Sequence, residues 1–291
     1  MNSIHGDLVQ EAHELGQVVG PILKALKEQD RAVQDIQSYL SSENLAGLDK
    51  AVNRLSPSFL DRFGLKERAL TLQEQLLKRL HELKAEHRRR LGKELKESFE
   101  SGGFNARLVS DNPPSFKVGR FEIELNLDKM EAGISFCREP LRKVQAKPEK
   151  IMDALTREKR LIETSAVEQG RFFDAILNAY KASLALYSGR MGDRVDLVDL
   201  LPQVAFMLQP DKFKEHPTKE RFISYSRVQF IFDLNRLRES GLLTKSGFRL
   251  DLGTATGDST RKKGRVFFLE DANGEGQYYL SARFVPTQPN Q

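Results

Sequence analysis

Histidines, cysteines and closely spaced carboxylates are the raw material of catalytic and metal centres, and this chain holds five His and one Cys. His81-Glu82 is followed by His87, six residues after the first histidine rather than the four that set two zinc ligands on one helical face. The metalloprotease pattern therefore fails, and His5, His13 and His216 complete no triad that spacing reveals. Glu122 and Glu124 share one face of a strand, as paired metal ligands would, but Glu124-Leu125-Asn126 lacks the lysine of a magnesium-dependent nuclease. Such a pair reads first as a solvated strand face, and a nuclease is the most remote of the functional readings. Asp193, Asp196 and Asp199 suit the first turn of a helix, where carboxylates meet the positive end of the macrodipole. The stretch from Gly257 to Gly264 has its lysines before the second glycine, so no phosphate-binding loop for ATP is present. A single cysteine, Cys137, excludes an intrachain disulfide and a multi-cysteine metal site, and reads as a small buried residue of a strand. These residues point to a protein that is not an enzyme and takes no cofactor or metal.

The elements that would position a site are set by composition and patterning. The chain has 291 residues with 46 basic and 41 acidic side chains, a net charge of +5, 39% apolar and 30% charged residues. That balance fits long solvated helices beside a globular part, at a length of about two domains. The apolar run from Leu200 to Leu208 is interrupted by Pro202 and Gln203, so no segment spans a bilayer and no membrane partner is expected. Residues 1–14 lack a basic segment followed by an apolar run, which makes the expected location cytoplasmic, with nucleoid association as its refinement.

Leu8, Ala12, Leu15, Val19, Ile22, Leu26, Gln29, Val33, Ile36 and Leu40 keep a four-three alternation, the seam of a coiled coil or helical hairpin. Gly20-Pro21 crosses it and predicts a short helix, a break and a longer helix. A small helix is expected over 45–55, then a long one from Leu65 to the Gly102-Gly103 stop, carrying the basic run 88–90 as a solvated face. Period-two alternation predicts strands at 104–108, 121–127 and 132–136, with breaks at 112–114 and 128–131, then a basic linker over 140–148. Helices follow over 151–162 and 172–187. Asp193 is read as a cap for a helix that Pro202 ends or kinks, and a longer helix is read over 222–240. Strands are read at 248–252, 265–269 and 277–284, with Asn273-Gly274 turning the last hairpin. The fold class is α+β and mainly helical. The expected parts are a helical or coiled-coil region 1–103, a small antiparallel sheet with linker 104–147, a helical connector 148–190, a C-terminal domain 191–286 and a disordered tail 287–291.

Two helices, a third that pairs Leu234 with Leu237 and ends Gly241-Leu242-Leu243, and a hairpin resemble a winged helix-turn-helix domain over the last third of the chain. The resemblance implies DNA binding, with the helix before the wing in the major groove and the wing on backbone phosphate. Carried to this sequence, the wing includes Arg261, Lys262, Lys263 and Arg265, and the groove-facing stripe includes Ser226, Gln229 and Arg236. That stripe also contains Asp233, a poor electrostatic match to DNA, while apolar residues fill most of the remaining circumference.

Two readings follow. In the first, the chain is a non-enzymatic DNA-associated protein. It self-associates through Leu8, Leu15, Val19, Ile22, Leu26, Val33, Ile36 and Leu40 and meets double-stranded DNA through the wing. In the second, the same domain docks on a protein, making the chain an assembly subunit beside a coiled-coil ATPase of a chromosome-maintenance or defence complex.

Overall fold

The computed structural model describes residues 2–42, 44–111, 113–127, 129–271 and 274–287, with the side chains of residues 2–9 and 12 left outside the description. The chain is α+β and mainly helical, with two antiparallel sheets. It divides into two compact units, residues 1–97 with 126–131, and residues 98–125 with 132–291. The first unit has equal numbers of acidic and basic side chains, so the whole net charge of +5 lies on the second.

The first unit is built from α1 (Asn2–Ser41), α2 (Leu45–Arg54), α3 (Pro57–Leu60) and α4 (Lys66–Ser101), whose last turn from Ser98 belongs to the second unit. The break expected at Gly20-Pro21 does not occur, and α1 runs through Pro21. Proline removes one intrahelical bond, but the helical runs on either side are long enough to propagate on their own. Ile36 of α1 packs with Leu45, Leu48, Ala51, Val52, Leu76 and Leu80 in the core of this unit. Ile36 is therefore an internal packing residue and is not available to a second chain as the seam required. Gln29, the one polar seam residue, accepts from the Ser56 amide at 2.7 Å and donates to the Arg54 carbonyl at 3.2 Å. It closes the α2–α3 corner, whose unpaired backbone groups would otherwise cost about 1–3 kcal/mol each where buried. Asn44 caps α2 by accepting from the Gly47 amide at 2.9 Å. Leu15, Val19, Leu26, Val33 and Leu40 lie exposed and Ile22 is half-buried, whereas the Leu8 side chain falls outside the described residues.

The second unit opens with a five-stranded meander, β1 (Ala106–Asp111), β2 (Pro114–Val118), β3 (Phe121–Asn126), β4 (Glu131–Phe136) and β5 (Glu139–Gln145), in that spatial order. The stretch read as a break at 113–114 leads straight into β2, and the linker read over 140–148 contains β5. Pro114 opens its strand and Pro140 sits on an edge strand, places where a missing N–H leaves no ladder bond unmade. Asn112 and Asp128, assigned to the breaks, fall outside the described residues. One face of the sheet buries Phe116, Val118, Phe121, Ile123, Ile134 and Phe136. The other carries Arg107, Lys117 and Glu122 in one cross-strand row.

Next come α5 (Pro148–Thr164), α6 (Gln169–Leu186), β6 (Val195–Asp196), α7 (Leu197–Met207), α8 (Asp211–Glu215) and α9 (Arg227–Glu239), then β7 (Thr244–Lys245), β8 (Phe248–Thr254), β9 (Phe267–Glu270) and β10 (Gly276–Pro286). The second sheet is ordered β6-β10-β8-β7, with β9 also paired to β10. Asp196, not Asp193, stands at the N-cap of α7, while the Asp193 carboxylate accepts from the Arg190 amide at 2.7 Å. Helix α9 starts at Arg227 rather than near Phe222, because the Ser226 hydroxyl caps it by accepting from the Gln229 amide at 3.1 Å. Phe230, Ile231, Leu234 and Leu237 of α9 are fully buried, with Phe230 ring-to-ring against Phe172 of α6 at 6.0 Å and Phe267 of β9 at 5.4 Å. Gly274 takes φ +86° in the β9–β10 turn, and Asn273 falls outside the described residues. The expected tail begins at Thr287, whose amide donates to Gly247 at 2.9 Å, and residues 288–291 fall outside the described residues.

Candidate nucleic-acid interface

The loop between β8 and β9 is pinned at its base and open at its tip. Arg227, at the start of α9, pairs with Glu139 at 2.7 Å, donates to the Gly264 carbonyl at 3.1 Å and to that of Val266, and lies 3.8 Å from the Phe267 ring centre. Arg265 bonds Asp196 at 2.6 Å, and that hydrogen bond and charge raise its pKa further above the ordinary arginine value. Its charge is therefore engaged in holding the loop. At the tip Arg261, Lys262 and Lys263 are exposed. Among the described residues Arg261 pairs with Asp258 of its own turn, at 3.2 Å with both side chains above four-fifths exposed, a pairing worth little in water. The three cations can reach a polyanion without first breaking a strong internal bond.

The stripe on α9 is arranged differently. Gln229 and Asp233 are buried, so Gln229 does not face solvent as groove reading requires. Asp233 accepts from the Tyr225 hydroxyl at 2.7 Å, the Val167 amide at 3.1 Å and Gln229 at 3.4 Å. Arg236 donates to the Val167 carbonyl at 3.0 Å and stands 3.7 Å from Asp233. Burial lifts the Asp233 carboxyl above the usual carboxylate range against the pull of these donors, and burial with the adjacent Asp233 lifts the Tyr225 phenol. Ser226 is occupied as a cap. The stripe is an internal polar network that fixes the 165–169 connection to α9.

A polar cleft of about 490 Å³ lies between the polar face of the meander and the β9–β10 hairpin, with Lys263 at its border. Its deepest charged pair is Lys117 with Glu270, Nζ to Oε2 at 2.7 Å, with the Glu270 side chain wholly buried. Glu270 Oε1 has no hydrogen-bond partner among the described residues. One wall is formed by Arg138, whose guanidinium lies 3.8 Å from the Phe268 ring centre and donates to the Tyr278 hydroxyl at 3.1 Å. Arg138 is aimed there by a two-residue turn in which Cys137 and Arg138 have φ +45° and +66°. Each non-glycine residue in that region costs about 1–2 kcal/mol, offset here by burial of Cys137 and stacking of Arg138. Burial and the nearby Glu270 push the Cys137 thiol up to about 12, which keeps it a packing residue rather than a nucleophile.

Glu122 and Glu124 do face the cleft together, as their spacing predicts. Among the described residues, however, no group of three or more His, Cys, Asp or Glu is placed to hold a metal ion. Sequence patterning missed Arg107, Lys117 and Glu270 as cleft residues, since Glu270 lies on a strand 153 residues beyond Lys117. Among the described residues no helix is long and apolar enough to cross a membrane. Comparison with protein-family models, with curated proteins and with solved structures finds no match.

Proposed function

We propose that the chain is a non-enzymatic DNA-associated protein that contacts backbone phosphate through the loop 257–265 and self-associates through α1. The observation that carries the reading is the exposed trio Arg261, Lys262 and Lys263 on a loop whose base is clamped by Arg227 and Arg265. Phosphate contacts of this kind fix a protein on the duplex without reading bases, consistent with an α9 turned inward. The helix, helix, helix, hairpin order of the last third supports the winged helix-turn-helix resemblance. The exposed Leu15, Val19 and Leu26 at coiled-coil spacing support pairing of α1 with a second copy. In fluorescence-anisotropy titrations on a random duplex of about 30 base pairs, Lys262→Glu with Lys263→Glu should weaken binding at least about tenfold and flatten the salt dependence by about two phosphate contacts. Duplex affinity unchanged by the double substitution would sink this reading.

A second reading is favoured by the enclosure of α9, since a helix unavailable to a groove leaves protein docking as the domain's use. In it the chain is an assembly subunit beside a coiled-coil ATPase of a chromosome-maintenance or defence complex, and the same double substitution leaves assembly intact.

A further inference from the structure

A second cavity of the second unit, aromatic where the first cleft is polar, takes no part in the loop's phosphate contacts. It encloses about 320 Å³ between the β2–β3 turn, α5 and α9. Val118, Phe121, Phe136 and Ile162 are its buried walls, and the half-buried rings of Phe104 and Phe232 complete the lining. Gly103 and Gly119 also border it, and nothing lies within 4 Å of where a Cβ would stand at either. Protein interiors leave few voids larger than a water molecule, so an unfilled space of this size among phenylalanines is a site rather than loose packing.

The lining selects the shape of what enters. Phe121, Phe136 and Phe232 form a series of edge-to-face rings, 5.1 and 6.1 Å between centres. Ring faces and edges carry opposite partial charge, so such a series favours another ring over an aliphatic chain. The volume is at the small end for ligand sites and suits one ring rather than a dinucleotide-sized cofactor.

Three charged side chains line the cavity and select its polarity. Arg120 is engaged, with Nε donating to the Glu270 carbonyl at 3.2 Å and Nη2 bonded to Glu239. Lys159 and Glu163 are not. Both are exposed on α5, one turn apart, and neither side chain forms an ion pair or hydrogen bond among the described residues. Lysine followed four residues on by glutamate is the weaker order for a helical pair, which leaves both charges to other partners. Lys159 Nζ lies 5.5 Å from the centre of the Phe104 ring, whose attraction for the ammonium keeps it at the cavity. A ligand carrying only an anion would face Glu163, and one carrying only a cation would face Lys159. One charge of each sign on an aromatic body satisfies both.

We propose that this cavity binds a free aromatic amino acid, its ring among Phe121, Phe136 and Phe232, its carboxylate on Lys159 and its ammonium on Glu163. This inference goes beyond duplex contact by the wing and does not depend on it.

The test is a ligand-observed NMR titration of the full chain with L-phenylalanine and with three molecules that each lack one part of it. L-Alanine lacks the ring, 3-phenylpropionate the ammonium and 2-phenylethylamine the carboxylate. Phenylalanine should bind at about millimolar strength or tighter, and each partial molecule at least about tenfold more weakly. Lys159→Met and Glu163→Gln are surface changes that should keep the wild-type melting temperature and lose about tenfold in phenylalanine affinity. Lys159→Met should bind 2-phenylethylamine more tightly than wild type does, and Glu163→Gln should do the same for 3-phenylpropionate, a crossing that mere damage to the cavity does not produce. Phenylalanine silent at about 10 mM, any partial molecule or N-acetylphenylalanine amide binding as well as phenylalanine, or undiminished affinity in both variants would overturn the proposal. Lys262→Glu with Lys263→Glu lies outside this cavity. Its loss of duplex binding with phenylalanine affinity intact separates the two sites, and duplex binding that never appears removes the wing reading alone.

Discussion

Two buried carboxylates of the second unit, Asp233 and Glu270, sit in the same core and are treated in opposite ways. Asp233 collects donors on both oxygens, from Tyr225, Val167 and Gln229, with Arg236 close by. Glu270 is the more buried of the two, yet one of its oxygens is bonded to Lys117 and the other, itself buried, has no hydrogen-bond partner among the described residues. A polar group that the fold satisfies completely stabilises the fold, and one left half-satisfied keeps a desolvation cost that its ion partner only partly offsets. The contrast separates a structural aspartate on the helix once expected to read DNA from a glutamate that sequence patterning passed over.

The comparison breaks first on stability. Asp233→Ala should cost about 3 kcal/mol in urea unfolding, because it orphans the Tyr225 hydroxyl and the Val167 amide together. Asp233 also has a pH signature. Its folded pKa is raised above the ordinary 3.8, so the folded state holds the proton more tightly than the unfolded one. The stability advantage of wild type over Asp233→Asn should therefore be largest in acid and shrink as pH climbs from about 3.8 through the raised value. A gap that widens with pH would mean that the donors, not burial, dominate at this residue.

Glu270→Gln is the matched change at the other site. An amide oxygen still accepts from Lys117, so the loss in stability should be smaller, about 1–2 kcal/mol by urea unfolding. If Glu270→Gln costs as much stability as Asp233→Ala, the two acids are alike and the contrast falls.

How much of this was legible in the sequence depended on the distance over which each feature is encoded. The helix after Asn44 was, since a capping residue and an apolar period are local signals. The start of α9 was readable too, as Ser226 followed three residues later by Gln229 has the form of a capping box, but Phe222 and Ile223 extended the apolar pattern and hid it. Prolines at residues 114 and 140 disguised β2 and β5, because their cost depends on strand position, which is known only once the sheet is built. Glu122 and Glu124 were placed correctly on one face because strand alternation is local. Lys117 and Glu270 are 153 residues apart, and no spacing rule connects them. The burial of Gln229 and Asp233 followed the same logic, since a polar stripe on a helix says nothing of the loop that folds over it.

The finest test extends the contrast to the hydroxyls beside each acid. Tyr225 is bound to Asp233 at 2.7 Å inside the core, so Tyr225→Phe leaves a buried carboxylate short of a donor and should cost about 1–2 kcal/mol. The Tyr278 hydroxyl accepts from Arg138 at 3.1 Å at the edge of the cleft, where water can replace it, and its ring keeps its 5.0 Å contact with Phe268 without the oxygen. Tyr278→Phe should therefore stay within about 0.5 kcal/mol of wild type by thermal or urea unfolding. Equal losses in the two variants would place the cleft wall inside the structural core, and a near-zero loss at Tyr278 beside a clear one at Tyr225 would mark the cleft as surface the fold does not need.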